Sequence, residues 1–317
     1  MTDRLTETDV FVPEGVLDRV SLLPATREGP RVVSSEDEKR LKRLTRVCVD
    51  DVITAFGLGE LGRGRTMLEV ISRLPARRLA RQVLIFDGIV GEAGLGAGGA
   101  WALQRLCRSA RVEGRENVPP GGPLLLVSNH PGLADAVALF AATPRKDLRV
   151  IAADRPFLDC LPNTSRHLLT VAEPAGRSGV VRAAARHLRD GGAMLTFPGG
   201  RIEPDPAVLP AGAVEALRRW SSSAALFARL APGLAVVPVV VSGVISPRAL
   251  RVPLTRLRRR RRDREWLAAT LQMLTPALRD VDARVEFGRP IYAGARGNIG
   301  EAVIEETRRL MENAQTA

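Results

Sequence analysis

The sequence predicts an α/β fold, with a mainly parallel sheet flanked by helices and an α-helical N-terminal segment before it. From about residue 110, short continuous apolar runs alternate with helical patterns, which is typical of parallel strands covered by helices on both faces. Before that point apolar residues recur at helical spacing, except in the polar residues 1–33, which proline and glycine interrupt. We therefore expect a flexible tail over 1–33, a helical segment over 34–108 and an α/β domain over 109–317.

The helical segment opens with a recognisable helix start. Ser35 and Glu38 have the spacing of a capping box, and apolar residues follow at helical spacing from 41 to 56. Gly57 provides a stop signal. These features predict a first helix that ends just before Gly57.

A second helical pattern covers 66–74. Pro75 is expected to break it, because proline lacks the backbone N–H that a helix interior uses. An arginine cluster at 77–81 then runs into an apolar patch at 83–86. This stretch could lie in a membrane interface with its arginines at the headgroups, or it could pack on the main domain as an accessory helix.

The α/β domain is predicted from apolar strand candidates and the helical patterns between them. The strand candidates are 124–128, 148–152, 167–171, 193–197 and 236–241, and the helix candidates are 131–142, 178–190 and 213–230. Residues 285–291 are expected to add an edge strand, and 299–313 a closing helix. The arginine-rich run 256–264 could be a solvated helix face, an anionic-lipid contact or a nucleic-acid contact.

The composition limits the class of protein. Of the 317 residues, 45% are hydrophobic, so the chain can bury a sizeable core. It carries 47 basic and 35 acidic residues, a formal charge of +12, and nearly all the basic residues are arginine. A basic surface attracts anionic lipid headgroups, nucleic acid or acidic substrates. The three cysteines are widely separated and form no C-x-x-C pair, so we expect neither a disulfide framework nor a zinc site, in a reducing cytoplasm.

The sequence predicts neither a signal peptide nor a transmembrane helix. Residues 1–14 contain charged side chains and no apolar core, so no signal peptide is expected. No uninterrupted apolar run reaches the ~18 residues typical of a spanning helix. The longest candidate, 83–106, contains Asp87, Glu92 and several glycines. Any membrane contact is therefore expected at the membrane surface.

The strand candidate 124–128 leads directly to His130, and Asp135 follows five residues later. An imidazole can accept a hydroxyl proton near neutral pH, and a carboxylate on its other nitrogen fixes the tautomer and stabilises the cation. Pro131 suits the first position of a helix, which would place His130 at the cap and Asp135 on the second turn. The alternative is a surface histidine and an unrelated helix aspartate.

The residues around this pair resemble the glycerolipid acyltransferase family, which includes the lysophosphatidic acid acyltransferases. Residues 129–135 read N-H-P-G-L-A-D, matching an N-H-x-x-x-x-D block. Residues 197–201 read F-P-G-G-R, which matches an F-P-E-G-T-R block only in part. Residues 236–241 read V-V-P-V-V-V, similar to a final V-P-V-x-I strand. The resemblance covers roughly residues 110 to 245.

The resemblance implies an enzyme that transfers a fatty acyl group from acyl-CoA or acyl carrier protein to a lipid hydroxyl. His130 would take the proton of the hydroxyl, and Asp135 would orient and charge the imidazole. No covalent acyl-enzyme is needed, in agreement with the lack of a G-x-S-x-G elbow in the sequence. No metal or other cofactor is implied. Asn129 and Gly132 of the same block are substrate-binding candidates, the Gly132 amide through contact with the developing oxyanion.

The second block departs from the family, in which its glutamate and arginine help to hold the acceptor. Here the glutamate position is Gly199 and the threonine position is Arg201. Glu203 and Arg201 could supply similar groups from shifted positions, and Phe197, Pro198 and Gly200 complete this candidate site. A plain strand-to-loop turn is the alternative.

The family's middle block usually carries an arginine that pairs with the phosphate of the acceptor. Its place falls near Val171 in this sequence, and Arg155 or Arg177 could substitute for it. The acceptor therefore stays open between lysophosphatidic acid, a lyso-amino-acid lipid, a glycolipid and another hydroxylated lipid. The expected partners are the acyl donor, this lipid and an anionic membrane surface, with the protein peripheral on the cytoplasmic inner face.

Other readings of the sequence remain open. A non-catalytic lipid-binding relative would keep the fold but would not need the His130 and Asp135 pair. Residues 94–99 fit G-x-G-x-x-G and could form a nucleotide-binding turn if a strand preceded them. Nucleic acid is not expected as a partner, because the arginine run has only Trp266 nearby and no recognisable nucleic-acid module. His167 and His187 are expected to be structural.

Overall fold

The computed structural model of the protein describes residues 35–58, 65–132, 134–171, 177–292 and 298–313. The predicted flexible tail, 1–33, lies outside these residues. The helices are α1 Ser35–Ala55, α2 Arg65–Leu106, α3 Asp135–Ala142, α4 Pro162–Ser165, α5 Arg177–Arg189, α6 Pro210–Ala216, α7 Ser223–Leu230, α8 Pro247–Arg251, α9 Arg261–Leu274 and α10 Ile299–Asn313. The strands are β1 Ser109–Glu113, β2 Leu124–Ser128, β3 Arg149–Ala153, β4 Leu168–Val171, β5 Ala193–Thr196, β6 Ala235–Ser242, β7 Asp282–Phe287 and β8 Ile291–Tyr292.

One sheet of eight strands forms the centre of the α/β unit. Its order is β1-β7-β6-β2-β5-β3-β4, and β8 also pairs with β6. The pairs from β6 to β4 are all parallel, while β6 pairs antiparallel with both β7 and β8. The predicted fold is confirmed: a mostly parallel sheet, with helices on both faces and an N-terminal helical segment. Strands β2 to β6 therefore end at one edge, which we call the carboxyl edge.

The central strand β2 shows why both faces must be covered. All five of its residues are buried, as are all eight residues of β6. Leu124 and Leu126 join a core cluster with α2 and α3, whereas Leu125 and Val127 join another with α5 and α7. Because alternate residues of a strand point to opposite faces, a continuous apolar run predicts this two-sided burial.

The first helix agrees with its prediction, but the second does not end at Pro75. Helix α2 continues for 42 residues, and its kink lies instead at Gly94, with φ 85° and ψ 173°. Ala76 and Ala80 are fully buried in a cluster with α1. This packing offsets the one backbone hydrogen bond that Pro75 removes.

The arginine cluster and apolar patch of 77–86 belong to helix α2. Val83 and Leu84 pack partly buried, and Phe86 is 9% exposed within the core. The packing of Val83, Leu84 and Phe86 agrees with the accessory-helix alternative, and contact of this stretch with a membrane stays a prediction. The most exposed apolar residues of α2 lie earlier, within 67–74, and Ile85 of the patch is 43% exposed.

Helix α2 is long and apolar enough to cross a membrane by length and composition. In the most apolar part of Thr66–Leu106, 39% of the stretch is buried in the protein. The buried Asp87 ties the helix to its neighbours, since its carboxylate accepts hydrogen bonds from the hydroxyl and N–H of Thr164, both at 2.8 Å, and from Arg40 at 3.2 Å.

The glycine-rich motif at 94–99 lies inside α2 and follows no strand, so the nucleotide-turn alternative is wrong. Gly94 forms the kink. A Cβ atom on Gly99 would stand 2.7 Å from the N atom of Ala141 and 2.7 Å from the carbonyl oxygen of Val137 in α3. These glycines therefore serve a bend and a close helix contact.

Several elements differ from their predictions at the C-terminal side of the domain. The expected edge strand 285–291 is two strands, and β7 lies inside the sheet between β1 and β6. The edge is formed by β1, which the sequence did not predict. The helix expected over 213–230 is interrupted by a 3-10 turn, Leu217–Arg219, and the arginine-rich run leads into helix α9.

Candidate active site

The candidate site begins where β2 ends, at the carboxyl edge. Asn129 is 1% exposed, and its side chain pairs with the backbone of Val241 in β6. The Asn129 amide donates to the Val241 carbonyl at 2.8 Å, and the Val241 N–H donates back to Asn129 Oδ1 at 2.8 Å. Asn129 thus joins the ends of two neighbouring strands, and these bonds commit its amide to the protein.

His130 and Asp135 come together as the sequence predicts. The distance between His130 Nδ1 and Asp135 Oδ2 is 2.6 Å, and the Asp135 side chain is fully buried. The helix, however, begins at Asp135 rather than at Pro131, so the expected place of Asp135 on a second turn is wrong. The intervening turn lets the carboxylate fold back toward His130.

The backbone of this turn holds the carboxylate. Asp135 Oδ2 accepts the Gly132 N–H at 3.2 Å, and Oδ1 accepts the N–H of Ala136 at 2.7 Å. The Gly132 amide, predicted as an oxyanion contact, is therefore engaged with Asp135. Backbone donors favour the ionised carboxylate, which is the form that can accept a bond from an imidazole N–H.

The second ring nitrogen of His130 is open. Its side chain is 29% exposed, and Nε2 has no hydrogen-bond partner among the described residues. Since Asp135 accepts the Nδ1 proton, the neutral ring carries its lone pair on Nε2. This nitrogen can therefore accept a proton from outside the protein.

Opposing effects act on the pKa of His130. Burial disfavours the charged ring, but the charge and hydrogen bond of Asp135, together with the charge of Glu203, outweigh it and raise the pKa above its ordinary value. The imidazole is thereby a stronger proton acceptor than a free histidine.

Phe197 flanks the imidazole from the end of the adjacent strand β5. The two ring centroids are 4.7 Å apart with an interplanar angle of 31°. The chain then turns sharply, with the Gly200 N–H donating to the Phe197 carbonyl at 3.0 Å and Gly200 at φ 61°. The positive φ explains a glycine at this position.

Glu203 lies against the backbone of His130. Its Oε2 accepts the His130 N–H at 3.1 Å, and its own N–H donates to the His130 carbonyl at 2.8 Å. Its Oε1 accepts Nε1–H of Trp220 at 2.7 Å. Burial raises the pKa of this carboxyl group, and the bonds from Trp220 and His130 oppose the shift.

The Glu203 carboxylate fills the space beside Gly199. A Cβ atom on Gly199 would stand 2.5 Å from Glu203 Oε1. The carboxylate of Glu203 thus lies at this turn, and the expectation that it helps to hold the acceptor stays a prediction.

Asp205 was missed by the sequence analysis. It is 1% exposed and accepts the N–H groups of three consecutive residues, Gly243, Val244 and Ile245, at 2.8 to 3.1 Å. This loop follows β6 and packs beside the His130 turn, since a Cβ atom on Gly132 would stand 3.6 Å from Ile245. Asp205 therefore fixes a wall of the site.

The three candidate arginines differ in their surroundings. Arg201 is exposed at the turn after β5 and makes no hydrogen bond or ion pair with the described part of the chain. Arg155 is exposed beyond β3, where its charge opposes the rise that burial causes in the pKa of Asp51 in α1. Arg177 is the exposed first residue of α5. Only Arg201 belongs to the same turn as Phe197.

The cysteines offer no nucleophile. Cys48, Cys107 and Cys160 are free and buried. Burial raises the pKa of both Cys48 and Cys107 to about 12, so these thiols stay protonated at neutral pH. Among the described residues, no group of three histidine, cysteine, aspartate or glutamate side chains could hold a metal ion.

Residues 109–242, which contain the His130 and Asp135 pair, match the model of the acyltransferase family. This match defines the class: residues 109–242 form an acyltransferase domain, and the protein is an acyltransferase. Among solved structures it is similar to PlsC, the 1-acyl-sn-glycerophosphate (LPA) acyltransferase of Thermotoga maritima, at 15% identity and a TM-score of 0.43, over 89% of this chain and 98% of that chain. No curated protein matches the sequence.

Proposed function

We propose that the protein transfers a fatty acyl group from acyl-CoA or acyl carrier protein to a hydroxyl of a lysophospholipid or related lipid, with His130 as general base. One observation carries this proposal. His130 has its Nδ1 bound to the buried Asp135 at 2.6 Å and its Nε2 without a partner among the described residues, at the carboxyl edge of the sheet.

The proposed reaction needs one proton acceptor and no covalent intermediate with the protein. The acceptor hydroxyl oxygen attacks the thioester carbonyl carbon while its proton moves to Nε2 of His130. Asp135 stabilises the imidazolium that forms. The tetrahedral intermediate then breaks its C–S bond, and the leaving thiolate takes the proton back from the imidazolium. A positioned base contributes about 10²–10⁴-fold, so alignment of the two substrates must supply much of the remaining acceleration.

Lysophosphatidic acid is the first acceptor to test. Arg201 is exposed at the same turn as Phe197, whose ring lies beside that of His130. The guanidinium of Arg201 has no partner among the residues that the structure describes, and such a group suits a phosphate. Arg155 and Arg177 remain further candidates. A lyso-amino-acid lipid or a glycolipid would use the same base with different headgroup contacts.

The test is transfer of labelled acyl groups from acyl-CoA and from acyl carrier protein onto a panel of lyso-lipids. His130→Ala should reduce transfer by about 10²-fold or more. His167→Ala is the matched control, since His167 lies before β4 and should leave transfer unchanged. Absence of transfer from either donor to any acceptor would overturn the proposal in favour of the non-catalytic lipid binder.

We also propose that the enzyme works on the cytoplasmic face of an anionic membrane. Four large apolar side chains of α2 are strongly exposed at helical spacing, at 69%, 69%, 58% and 61%: Met67, Val70, Ile71 and Leu74. We call them the α2 stripe. Two further exposed apolar side chains lie at the start of the arginine-rich run: Leu254 precedes it and Leu257 is part of it. Apolar groups bordered by arginines are the combination that binds an anionic interface.

A further inference from the structure

Glu203, a residue of another loop, makes two hydrogen bonds with the backbone of His130. We call this pair of bonds the clasp. Glu203 receives the His130 N–H on its carboxylate at 3.1 Å and gives its own N–H to the His130 carbonyl at 2.8 Å. The Asp135 bond orients the imidazole ring but leaves the backbone of His130 unconstrained. Ring and backbone are thus held by different carboxylates.

Trp220 holds the clasp in turn. Its indole N–H donates to the other oxygen of Glu203 at 2.7 Å. The next residue, Ser221, donates its N–H to the Pro198 carbonyl at 3.1 Å, which ties the same segment to the turn that carries Phe197. Both oxygens of the buried Glu203 are therefore engaged within the protein, which is not the arrangement of a side chain that waits for a substrate.

We propose that Glu203 and Trp220 are positioning residues, which hold His130 so that Nε2 meets the acceptor hydroxyl; this role rests on the proposed function. Proton transfer requires Nε2 within about 3 Å of the hydroxyl, and a displacement of about 1 Å can cost ~10²-fold in rate. His130 lies just beyond the end of β2 and before the start of α3 at Asp135, so no helix or strand holds its backbone. The clasp supplies that support.

The carboxylate also acts on the ring through its charge. Two ionisable groups face His130: Asp135 from the start of α3 and Glu203 from the loop after β5. Removal of the Glu203 charge should therefore lower the pKa of His130. A residue that merely fills space would leave this value unchanged, so the titration separates a positioning role from a packing role.

The first experiment compares Glu203→Gln and Trp220→Phe with two controls in α9, Glu265→Gln and Trp266→Phe. Glu265 is likewise buried, at 6% exposure, but pairs with Arg261. We expect kcat to fall by about 10-fold to 10²-fold in the two site variants, with KM for the acyl donor little changed. The two controls should retain kcat, and thermal melts should show all four proteins folded.

The second measurement does not depend on activity. The protein has three histidines, so imidazole NMR signals can be resolved, and the His130 signal identified by its loss in His130→Ala. In Glu203→Gln the His130 titration should move to lower pH, while in Glu265→Gln it should stay. An unshifted His130 titration together with unchanged kcat in both site variants would overturn the positioning role.

A relocated carboxylate gives a third variant. Gly199 has an ordinary φ, and a Cβ atom there would point at Glu203 Oε1, 2.5 Å away. Gly199→Asp alone should therefore clash and reduce kcat, as should Glu203→Ala. The double variant that combines Gly199→Asp with Glu203→Ala should recover part of the lost kcat, because the carboxylate of the new aspartate can occupy the space that Glu203 leaves.

The outcomes separate the two proposals. A wild-type protein without acyl transfer overturns the proposed function, whereas the His130 titration still decides whether Glu203 acts on the ring. A wild-type protein with transfer, but with Glu203→Gln and Trp220→Phe as active as the controls, overturns the clasp alone.

Discussion

His130 and Asp135 can meet because the chain between them is a turn and not a helix. Within a regular helix, side chains five positions apart point in different directions. The turn brings Asp135 Oδ2 to 2.6 Å from His130 Nδ1, and the Gly132 N–H supports the carboxylate. Asp135 therefore has two duties: it begins α3, and it fixes the tautomer of the imidazole.

Asp135→Asn tests the second duty. The amide has nearly the same shape, but it cannot stabilise an imidazolium by charge. We expect kcat to fall by about 10²–10⁴-fold while KM for the acyl donor changes little. Steady-state rates, with a circular dichroism spectrum to establish folding, check this. A variant within twofold of the wild-type kcat would contradict the role.

The pH dependence of the reaction follows from the same pair. Because the folded protein holds the pKa of His130 above its ordinary value, the neutral base is lost as the pH falls through that raised pKa. The acid limb of kcat/KM should therefore lie above pH ~6.5, the ordinary value for histidine. A pH–rate profile checks the position, and Asp135→Asn should move the limb to lower pH. A limb below the ordinary value would contradict the predicted direction.

At the scale of elements, substitution by alanine at two glycines of α2 should change the stability of the fold in opposite directions. A Cβ atom on Gly99 would meet the backbone of α3 at 2.7 Å, whereas one on Gly88 would find no atom within 4 Å. Gly99→Ala must push the two helices apart and should destabilise the fold by about 1–3 kcal/mol. Gly88→Ala should stabilise it by about 0.5–1 kcal/mol, since alanine favours the helix. Urea unfolding of both variants checks the signs, and equal effects would contradict the close contact.

The elements that the sequence predicted well are those with an unmixed pattern. The bounds of β2 and α10 agree with their predictions residue for residue, because one is continuously apolar and the other strongly amphipathic. Strand β1 is half-exposed and short, so no apolar run marked it. Helix α9 begins inside the arginine-rich run, whose charge hid the buried face formed further along by Leu267 and Ala268.

The residues of the candidate site also divide into those that the sequence could predict and those that it could not. His130 and Asp135 could be predicted because their residue types and spacing carry the chemistry. Trp220 could not, since its indole reaches Glu203 across 17 positions and belongs to no motif. The partners of Asp205 are backbone N–H groups, which have no sequence signature of their own. Contacts fixed by folding alone therefore remain hidden from a single sequence.

At the scale of the whole molecule, the charge and the exposed apolar groups occur together. The chain carries a formal charge of +12, and the arginine-rich run at 256–264 follows the exposed Leu254 and contains the exposed Leu257. Arg258 from this run lies against Gly57, just beyond the end of α1. The run is therefore packed next to the helical segment that carries the α2 stripe, and the two can form one membrane-facing surface.

This surface predicts how the protein should bind vesicles. Arg256, Arg259, Arg260 and Arg262 are exposed members of the run, and each arginine near an anionic leaflet contributes about 1 kcal/mol. Replacing these four by glutamine should weaken sedimentation with anionic vesicles and remove most of its salt dependence. Replacing Val70 and Leu74 of the α2 stripe by aspartate should weaken binding at every salt concentration, because it removes the apolar contact.

A control neutralises three arginines of α5, Arg182, Arg186 and Arg189, whose helix packs on the opposite face of the sheet from α2. That variant should bind vesicles nearly as the wild type does. Losses of binding are compared per arginine removed, since the test variant removes four. Equal losses in the control and in the four-arginine variant would mean that net charge alone drives binding and would contradict a defined surface. High salt should release the bound wild-type protein from the vesicles if it is peripheral. Release by detergent alone would instead show that α2, which is apolar enough to span a bilayer, enters the membrane.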